Sequence, residues 1–206
     1  VHAWNTVGDY TVGVRVTDND GNAVPASAVV HVTAATHSIA LIPGWNLISF
    51  NLHPTNTGIA SVLASVADNF DLVYAWDASV STNNWLSLDN VPYSQDSLTY
   101  IDETMGLWIH LTAPDTLEVT GTHPVSTAIP LSVAGGGWNL VGFPAGTPGD
   151  PASVLSSNTT LVFSYRSADT ADLWKMYDVN VPLFLNDLTE MMPTWGYWIQ
   201  VSADQS

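Results

Sequence analysis

The sequence of 206 residues contains no cysteine and few charged side chains. The lack of cysteine excludes disulfides, thiolate metal sites and a cysteine nucleophile. Charged residues make up 11% of the chain, against about 25% in typical proteins. The chain has 19 acidic residues and three basic ones, Arg15, Arg166 and Lys175, which gives a net charge of −16. Nucleic acids and anionic lipids need clustered cations, so this balance excludes both as partners.

Long apolar runs and catalytic motifs are also missing. No stretch approaches the roughly 18–20 apolar residues that a membrane helix requires, so we expect no membrane insertion. The histidines lack the spacing of a zinc site, no Gly-x-Ser-x-Gly elbow occurs, and residues 135–137 lack the lysine of a phosphate-binding loop. We therefore expect no enzyme activity. The polar positions hold mainly Ser, Thr, Asn and Gly, which is typical of extracellular or cell-surface β-proteins.

The chain contains an internal repeat. Residues 44–50 (Gly-Trp-Asn-Leu-Ile-Ser-Phe) return as residues 137–143 (Gly-Trp-Asn-Leu-Val-Gly-Phe), and residues 106–109 (Gly-Leu-Trp-Ile) return as residues 196–199 (Gly-Tyr-Trp-Ile). Further landmarks recur in the same order: 61–63 with 153–155, 73–76 with 162–165, Trp85 with Trp174, and 91–92 with 181–182. We expect recurring residues to build the unit and unmatched residues to carry any function particular to one copy.

The apolar pattern predicts an all-β fold of antiparallel β-sandwich-like modules, with one short helix each and an internal two-fold repeat. The predicted strands are 38–42, 44–50, 72–76, 85–88 and 107–111 in the first copy, and 128–133, 137–143, 161–165, 174–177 and 197–201 in the second. The helices are expected at 58–69 and 150–155, the latter with Pro151 at its first position. A strand at 116–121 occurs only in the first copy, so the second should present an open edge.

A β-hairpin is predicted before the repeats. Residues 10–17 and 27–32 alternate at period two around Asp18-Asn19-Asp20-Gly21. Together with Gly8-Asp9-Tyr10-Thr11-Val12, this pattern resembles the C-terminal end of a PKD domain, an Ig-like β-sandwich common in secreted bacterial and archaeal proteins. The resemblance covers only the last strands of such a domain, so it implies that other strands complete the sandwich, in cis or in trans. The expected organisation is a PKD-like hairpin and linker at 1–35, repeat 1 at 36–122 and repeat 2 at 123–206.

The two repeats resemble tandem Gly-Trp-Asn-Leu β-modules, which occur beside PKD and other Ig-like domains in extracellular proteins. The resemblance covers nearly all of residues 38–203 and implies a surface context rather than a particular chemistry.

Nine tryptophans indicate either aromatic packing or sugar binding. Most of them recur in both copies and are interpreted as packing residues. Alternation places Trp108 and Trp198 opposite the apolar residues of their strands, on the wetter face. Trp4 and Trp195 have no counterpart in the other copy. These four tryptophans are the predicted carbohydrate-binding residues.

Two further sites are suggested by short motifs. Asp18 and Asp20 resemble the start of a calcium loop, although the final Glu ligand is missing and the same residues suit a tight turn. Asn158 opens an Asn-Thr-Thr glycosylation sequon. No other cofactor is indicated.

Together these features predict a non-catalytic extracellular or cell-surface segment with a structural or adhesive role. It would self-assemble by strand donation that uses the hairpin and the unit near Trp198, so its partners would be copies of itself or neighbouring surface proteins. The alternative is a carbohydrate-binding accessory region of a larger secreted hydrolase, with a polysaccharide as its partner.

Overall fold

The structure is a computed structural model that describes residues 7–90 and 96–205. These residues form antiparallel sheets with very short helices, which confirms the all-β class and the sandwich-like architecture. No helix within the described ranges is long and apolar enough to cross a membrane.

The predicted hairpin forms a sheet of its own. Strand β1 (Gly8–Thr17) pairs with β2 (Ala23–Val32) in an antiparallel register that places Val16 opposite Val24. Because side chains alternate between faces, one face carries most of the valines and the other carries polar residues. Val14, Val16 and Val24 on the apolar face are 57%, 65% and 70% exposed. The hairpin therefore has an amphipathic pattern with an uncovered apolar side.

Repeat 1 is a sandwich of two sheets. Strands β3 (Ala35–Leu41), β5 (His53–Pro54) and β9 (Asp115–Thr122) form one sheet in the order β3-β9-β5. The other sheet has the order β4-β8-β6-β7 and contains β4 (Gly44–Ile48), β6 (Phe70–Trp76), β7 (Trp85–Asp89) and β8 (Leu107–Leu111). Helix α1 (Ile59–Val62) and a 3₁₀ turn (Ala64–Val66) complete the core, in which Val73, Ile109 and Leu117 are fully buried.

Repeat 2 reproduces the four-stranded sheet. Its order, β10-β13-β11-β12, matches that of repeat 1. The strands are β10 (Trp138–Val141), β11 (Thr159–Tyr165), β12 (Trp174–Asp178) and β13 (Tyr197–Val201). Helix α2 (Pro151–Val154) begins at Pro151 as predicted, and the Asp150 carboxylate caps it by accepting from the Ala152 N–H at 2.9 Å.

The strand predicted at 128–133 does not form. Only Leu131 pairs there, exchanging backbone hydrogen bonds of 2.8 and 3.0 Å with Gln205. The physical reason is the missing partner: β3 in repeat 1 is held along its length by β9, whereas this segment of repeat 2 has one bridge. Pro130 additionally offers no N–H to a ladder. Alternation alone therefore does not make a strand here.

The two repeats are joined by backbone pairing related by a pseudo-two-fold axis. The segment before β8 pairs with β10 of the other repeat, where the Gly142 N–H donates to the Thr104 carbonyl at 2.9 Å. The segment before β13 pairs in the same way with β4, where the Ser49 N–H donates to the Thr194 carbonyl at 2.9 Å. Each repeat thus extends a sheet of the other.

Candidate functional site

The tryptophan-bearing faces of the two four-stranded sheets face each other and form an aromatic layer. The rings of this layer are Trp45, Tyr74, Trp76, Trp85 and Trp108 from repeat 1, and Trp138, Phe163, Tyr165, Trp174 and Trp198 from repeat 2. The aliphatic face of each sheet packs in the core of its own repeat, and its aromatic face packs against the aromatic face of the other repeat. Most of the recurring tryptophans are therefore packing residues.

Trp108 and Trp198 connect the two halves of this layer. Trp198 packs against Trp76 and Trp85, with ring centroids 5.4 and 5.7 Å apart. Trp108 packs against Tyr165 and Trp174, the equivalent pair in the other repeat, at 5.1 and 5.8 Å. Both tryptophans lie on the face that alternation indicated, but the other repeat covers that face and leaves them only partly exposed. Neither ring is presented as a free platform for a sugar.

The glycine of each repeated Gly-x-Trp-Ile motif has a role in the same interface. A Cβ atom added to Gly106 would lie 2.7 Å from the Val141 carbonyl oxygen, and one added to Gly196 would lie 2.8 Å from the Ile48 carbonyl oxygen. Real Cβ atoms do not approach so closely, so only glycine lets the two backbones pair at this distance. The repeated glycine is therefore a sequence signal of contact between the repeats.

Trp195 lies in a separate cleft of about 220 Å³ between the repeats. The guanidinium carbon of Arg166 stands 3.1 Å from the centroid of its ring, which is a cation–π contact. Within the described residues the Arg166 side chain forms no ion pair, whereas Lys175 binds Asp169 and Asp172 at 3.0 and 2.7 Å. Burial lowers the pKa of Arg166 to about 10, so it stays cationic at neutral pH. Sequence reasoning found Trp195 but missed Arg166.

The predicted calcium ligands Asp18 and Asp20 lie in the turn of the hairpin. Trp4 lies outside the described residues. Asp18 closes the hairpin turn: its Oδ1 accepts from the Asp20 and Asn22 N–H groups at 3.0 and 2.8 Å, and its Oδ2 from the Asn22 amide at 3.0 Å. These bonds, led by the Asn22 amide, hold the pKa of Asp18 below its usual value. Among the described residues no three His, Asp or Glu side chains are grouped to hold a metal.

Asn158 lies at the turn before β11 and is partly exposed. Its carbonyl accepts from the Ser202 N–H and hydroxyl at 2.9 and 3.1 Å. The sequon is thus held next to the end of β13, with its side chain outside the hydrophobic core.

Repeat 1 also contains a polar pair, of which Glu103 is the buried member, without a counterpart in repeat 2. The Glu103 carboxylate is almost fully buried and lies 2.7 Å from Nδ1 of His53. This contact ties β5 to the segment that pairs with repeat 2. The position corresponding to Glu103 in repeat 2 is Pro193, so the two inter-repeat joints are equivalent in backbone but not in side chains.

Repeat 2 contains a groove of about 680 Å³. Its lining is mainly apolar and includes Ile129, Val141, Phe143, Leu155 and Met191. The groove lies beside the backbone bridge between Leu131 and Gln205. The open edge expected from the single copy of the 116–121 strand stays a prediction.

The chain matches no family model, no curated protein and no solved structure, so the likenesses to PKD domains and to Gly-Trp-Asn-Leu modules stay predictions.

Proposed function

We propose that this chain is a non-catalytic structural or adhesive segment of an extracellular or cell-surface protein, and that it associates with copies of itself through β-strand donation. The observation that carries the proposal is the uncovered apolar face of the hairpin. A two-stranded hairpin is at best marginally stable by itself in water. β1 and β2 hydrogen-bond only to each other among the described strands, so this hairpin depends on a further covering surface.

The gain from covering the face is large enough to drive association. Fully burying one valine side chain is worth about 1.5–3 kcal/mol. Val14, Val16 and Val24 are each more than half exposed, so burying the exposed part of each side chain stabilises the association by roughly half of that amount. Together with backbone pairing, the three valines would contribute several kcal/mol. The sparse charge and the Ser-, Thr- and Asn-rich surface support an extracellular setting.

Sedimentation velocity over a range of concentrations tests the proposal. We expect the wild-type protein to associate, and more strongly as ionic strength rises from about 0.05 to about 0.5 M, because salt screens the repulsion between chains of net charge −16. Val16→Asp should abolish association. Val29→Asp is the matched control, since Val29 is similarly exposed but lies on the polar face of the hairpin. A wild-type monomer at every concentration and salt would contradict the proposal.

A second candidate function is favoured by the Arg166–Trp195 cleft. A partly buried guanidinium that forms no ion pair gains most from binding a carboxylate, and the adjacent indole would contact an apolar part of the ligand. We infer that the ligand class would be a sugar carrying a single carboxylate. A polyanionic chain would be repelled by the net charge of −16.

NMR titration with glucuronic acid and with glucose separates this second function from simple packing. Glucuronic acid should shift the Trp195 indole N–H and glucose should not. Arg166→Met should remove the shift and change stability little, because the lost cation–π contact offsets the removal of a partly buried charge without an ion pair. Arg15→Met, at the exposed hairpin arginine, is the control that should leave the shift intact. If Arg166→Met unfolds the protein and glucuronic acid shifts nothing, the cation has only a packing role.

A further inference from the structure

Strand β3 forms one wall of the cleft that contains Arg166 and Trp195. Ser38, Ile39 and Ala40 of this strand line the cleft, and Ser38 and Ala40 are exposed. β3 lies at the outer position of its three-stranded sheet, where β9 is its partner among the described strands. The cleft therefore combines a cation and an indole with the edge of a sheet.

The backbone groups of Ser38 and Ala40 point away from β9. Opposed residues of an antiparallel pair alternate between exchanging both backbone hydrogen bonds and turning both groups outward. Ser38 lies opposite Glu118, whose N–H donates to the Ser65 hydroxyl at 2.8 Å and so does not face β3. Ser38 is therefore in an outward-facing pair, and so is Ala40, two residues further on. Within the part of the chain that the structure describes, the N–H and C=O groups of these two residues form no hydrogen bond.

Other edges of these sheets are covered by side chains. On the edge strand β12, the Met176 N–H donates to the Asp187 carboxylate at 2.6 Å. Just after β3, the Ile42 N–H donates to the Asn46 side-chain oxygen at 3.2 Å. Proteins cover edge groups in such ways because free ones pair with other chains. The open stretch of β3 is therefore a place where a further strand can be added.

The cation and the indole are particular to one of the two inter-repeat joints. The repeat alignment matches Arg166 with Asp77 and Trp195 with Met105. Met105 bridges to β10 as Trp195 bridges to β4, so both joints have the same backbone pairing. Because the second joint forms without an arginine or a tryptophan at these places, the fold does not require them in the first.

We propose that the open edge of β3 accepts an extended segment of a partner protein as an additional antiparallel strand, with one glutamate side chain of that segment bound to Arg166. The segment exchanges backbone hydrogen bonds with Ser38 and Ala40. Its residue opposite Ile39 is on the same face as Ile39, which lines the cleft. A glutamate at this place packs its methylene groups on Trp195 and directs its carboxylate to the guanidinium.

Charge restricts the rest of the segment. The net charge of −16 repels additional carboxylates, so the residues around the glutamate are uncharged or basic. The proposal rests on the second candidate function for the Arg166–carboxylate contact alone. It goes beyond that function because pairing with β3 requires a peptide backbone, which a free sugar acid lacks.

NMR titration of the whole chain with the peptide acetyl-Val-Thr-Glu-Thr-Val-amide tests the proposal. The peptide reads the same in both directions and places its glutamate opposite Ile39. We expect shifts of the Trp195 indole N–H and of the Ser38 and Ala40 amides, and hydrogen exchange of these two amides at least about tenfold slower at saturation. The same peptide with Gln in place of Glu should bind at least about tenfold more weakly, because the hydrogen bond loses its charge.

Methylated peptides separate strand pairing from the binding of a carboxylate alone. Methylation of both threonine nitrogens removes the donors that face Ser38 and Ala40, so it should abolish binding. Methylation of the glutamate nitrogen is the matched control, because that N–H points away from β3 in an antiparallel register. It should leave binding intact.

Protein variants test the two halves of the site. Arg166→Met should weaken peptide binding at least about tenfold, and Arg15→Met should not change it. Ala40→Pro removes an outward N–H at a position where an edge strand tolerates proline. It should abolish peptide binding and leave the Trp195 shift with glucuronic acid intact, whereas Ala40→Ser should bind normally. If Ala40→Pro unfolds the chain, the methylated peptides decide, since they leave the protein unchanged.

The outcomes separate this proposal from the second candidate function. Peptide binding with the expected amide shifts, but no effect of glucuronic acid, supports the peptide and removes the sugar. A Trp195 shift with glucuronic acid, but no peptide binding up to about 1 mM, overturns the proposal and leaves the second function standing. Equal binding of the plain and the doubly methylated peptide also overturns it, because the ligand is then a carboxylate alone. If neither ligand binds, both fail.

Discussion

Replacing Trp198 with alanine should destabilise both repeats together. The Trp198 ring makes near-perpendicular contacts with Trp76, Trp85 and Trp138 at centroid distances of 5.4, 5.7 and 6.3 Å. Truncating a core tryptophan costs about 3–5 kcal/mol, and the partial exposure of Trp198 places the expected loss near 3 kcal/mol. Each aromatic pair contributes about 0.5–1.5 kcal/mol beyond the area it buries.

Urea unfolding followed by fluorescence and circular dichroism measures this loss. For a urea dependence of about 1–3 kcal/mol per molar, a loss of about 3 kcal/mol lowers the midpoint by roughly 1–3 M. The transition should remain single because the aromatic layer and the paired backbones link the two repeats. Phe184→Ala is the control: its side chain is 83% exposed and lies outside the layer, so the change should cost less than about 0.5 kcal/mol.

Two results would refute this reasoning. One is the observation of two separate unfolding transitions, with Trp198→Ala lowering the urea midpoint of only one of them. The other is a double-mutant cycle of Trp76→Ala and Trp198→Ala without measurable coupling, because these rings come from different repeats and their contact is the proposed link. Either result would mean that the repeats fold independently and that the layer adds little.

Three further perturbations follow from single contacts. Gly106→Ala should lower the thermal midpoint far more than Gly13→Ala, since a Cβ at Gly106 meets a carbonyl at 2.7 Å and one at Gly13 meets nothing within 4 Å; equal melting curves would contradict the close approach. Chelation of divalent cations should leave the thermal midpoint unchanged, because both oxygens of Asp18 already accept turn hydrogen bonds; a lower midpoint would support the calcium prediction instead. The Asn69 amide holds the pKa of Asp115 below its usual value, so the stability from this bond is present above about pH 4 and is lost as the pH falls through the folded-state pKa. Asp115→Asn should therefore flatten the acid side of the pH–stability profile, and an unchanged profile would exclude that contribution.

Local alternation was sufficient to predict most strands and their faces. The strands at 107–111 and 197–201 have the predicted bounds, and Leu107, Ile109 and Leu111 are buried as the pattern required. This works because the side-chain direction in a strand depends only on position along it. The same rule placed Trp108 and Trp198 on the opposite face.

Alternation could not predict what covers that face. The cover is the other repeat. Every ring that meets Trp108 or Trp198 across the layer lies more than 50 residues away in the chain. The failed strand at 128–133 has the same cause, because a strand forms only where a partner is available for its backbone groups. One usable signal was missed: a glycine repeated before a strand, without a turn to explain it, indicates close backbone approach.

We expect a function to be encoded in the differences between the copies, because the shared residues are already needed for the fold. Had repeat 2 been selected only to pack against repeat 1, a phenylalanine at position 159 would have stabilised its core as Phe70 does in repeat 1. Instead the position holds a threonine whose buried hydroxyl lacks a partner, beside a second such hydroxyl at Thr127. Proteins keep features that reduce stability mainly where activity or binding depends on them. The same argument applies to Arg166, a partly buried cation that forms no ion pair among the described residues. By this reasoning we propose the cleft around Arg166 and Trp195, rather than the doubled tryptophans, as a surface through which the chain would bind a partner.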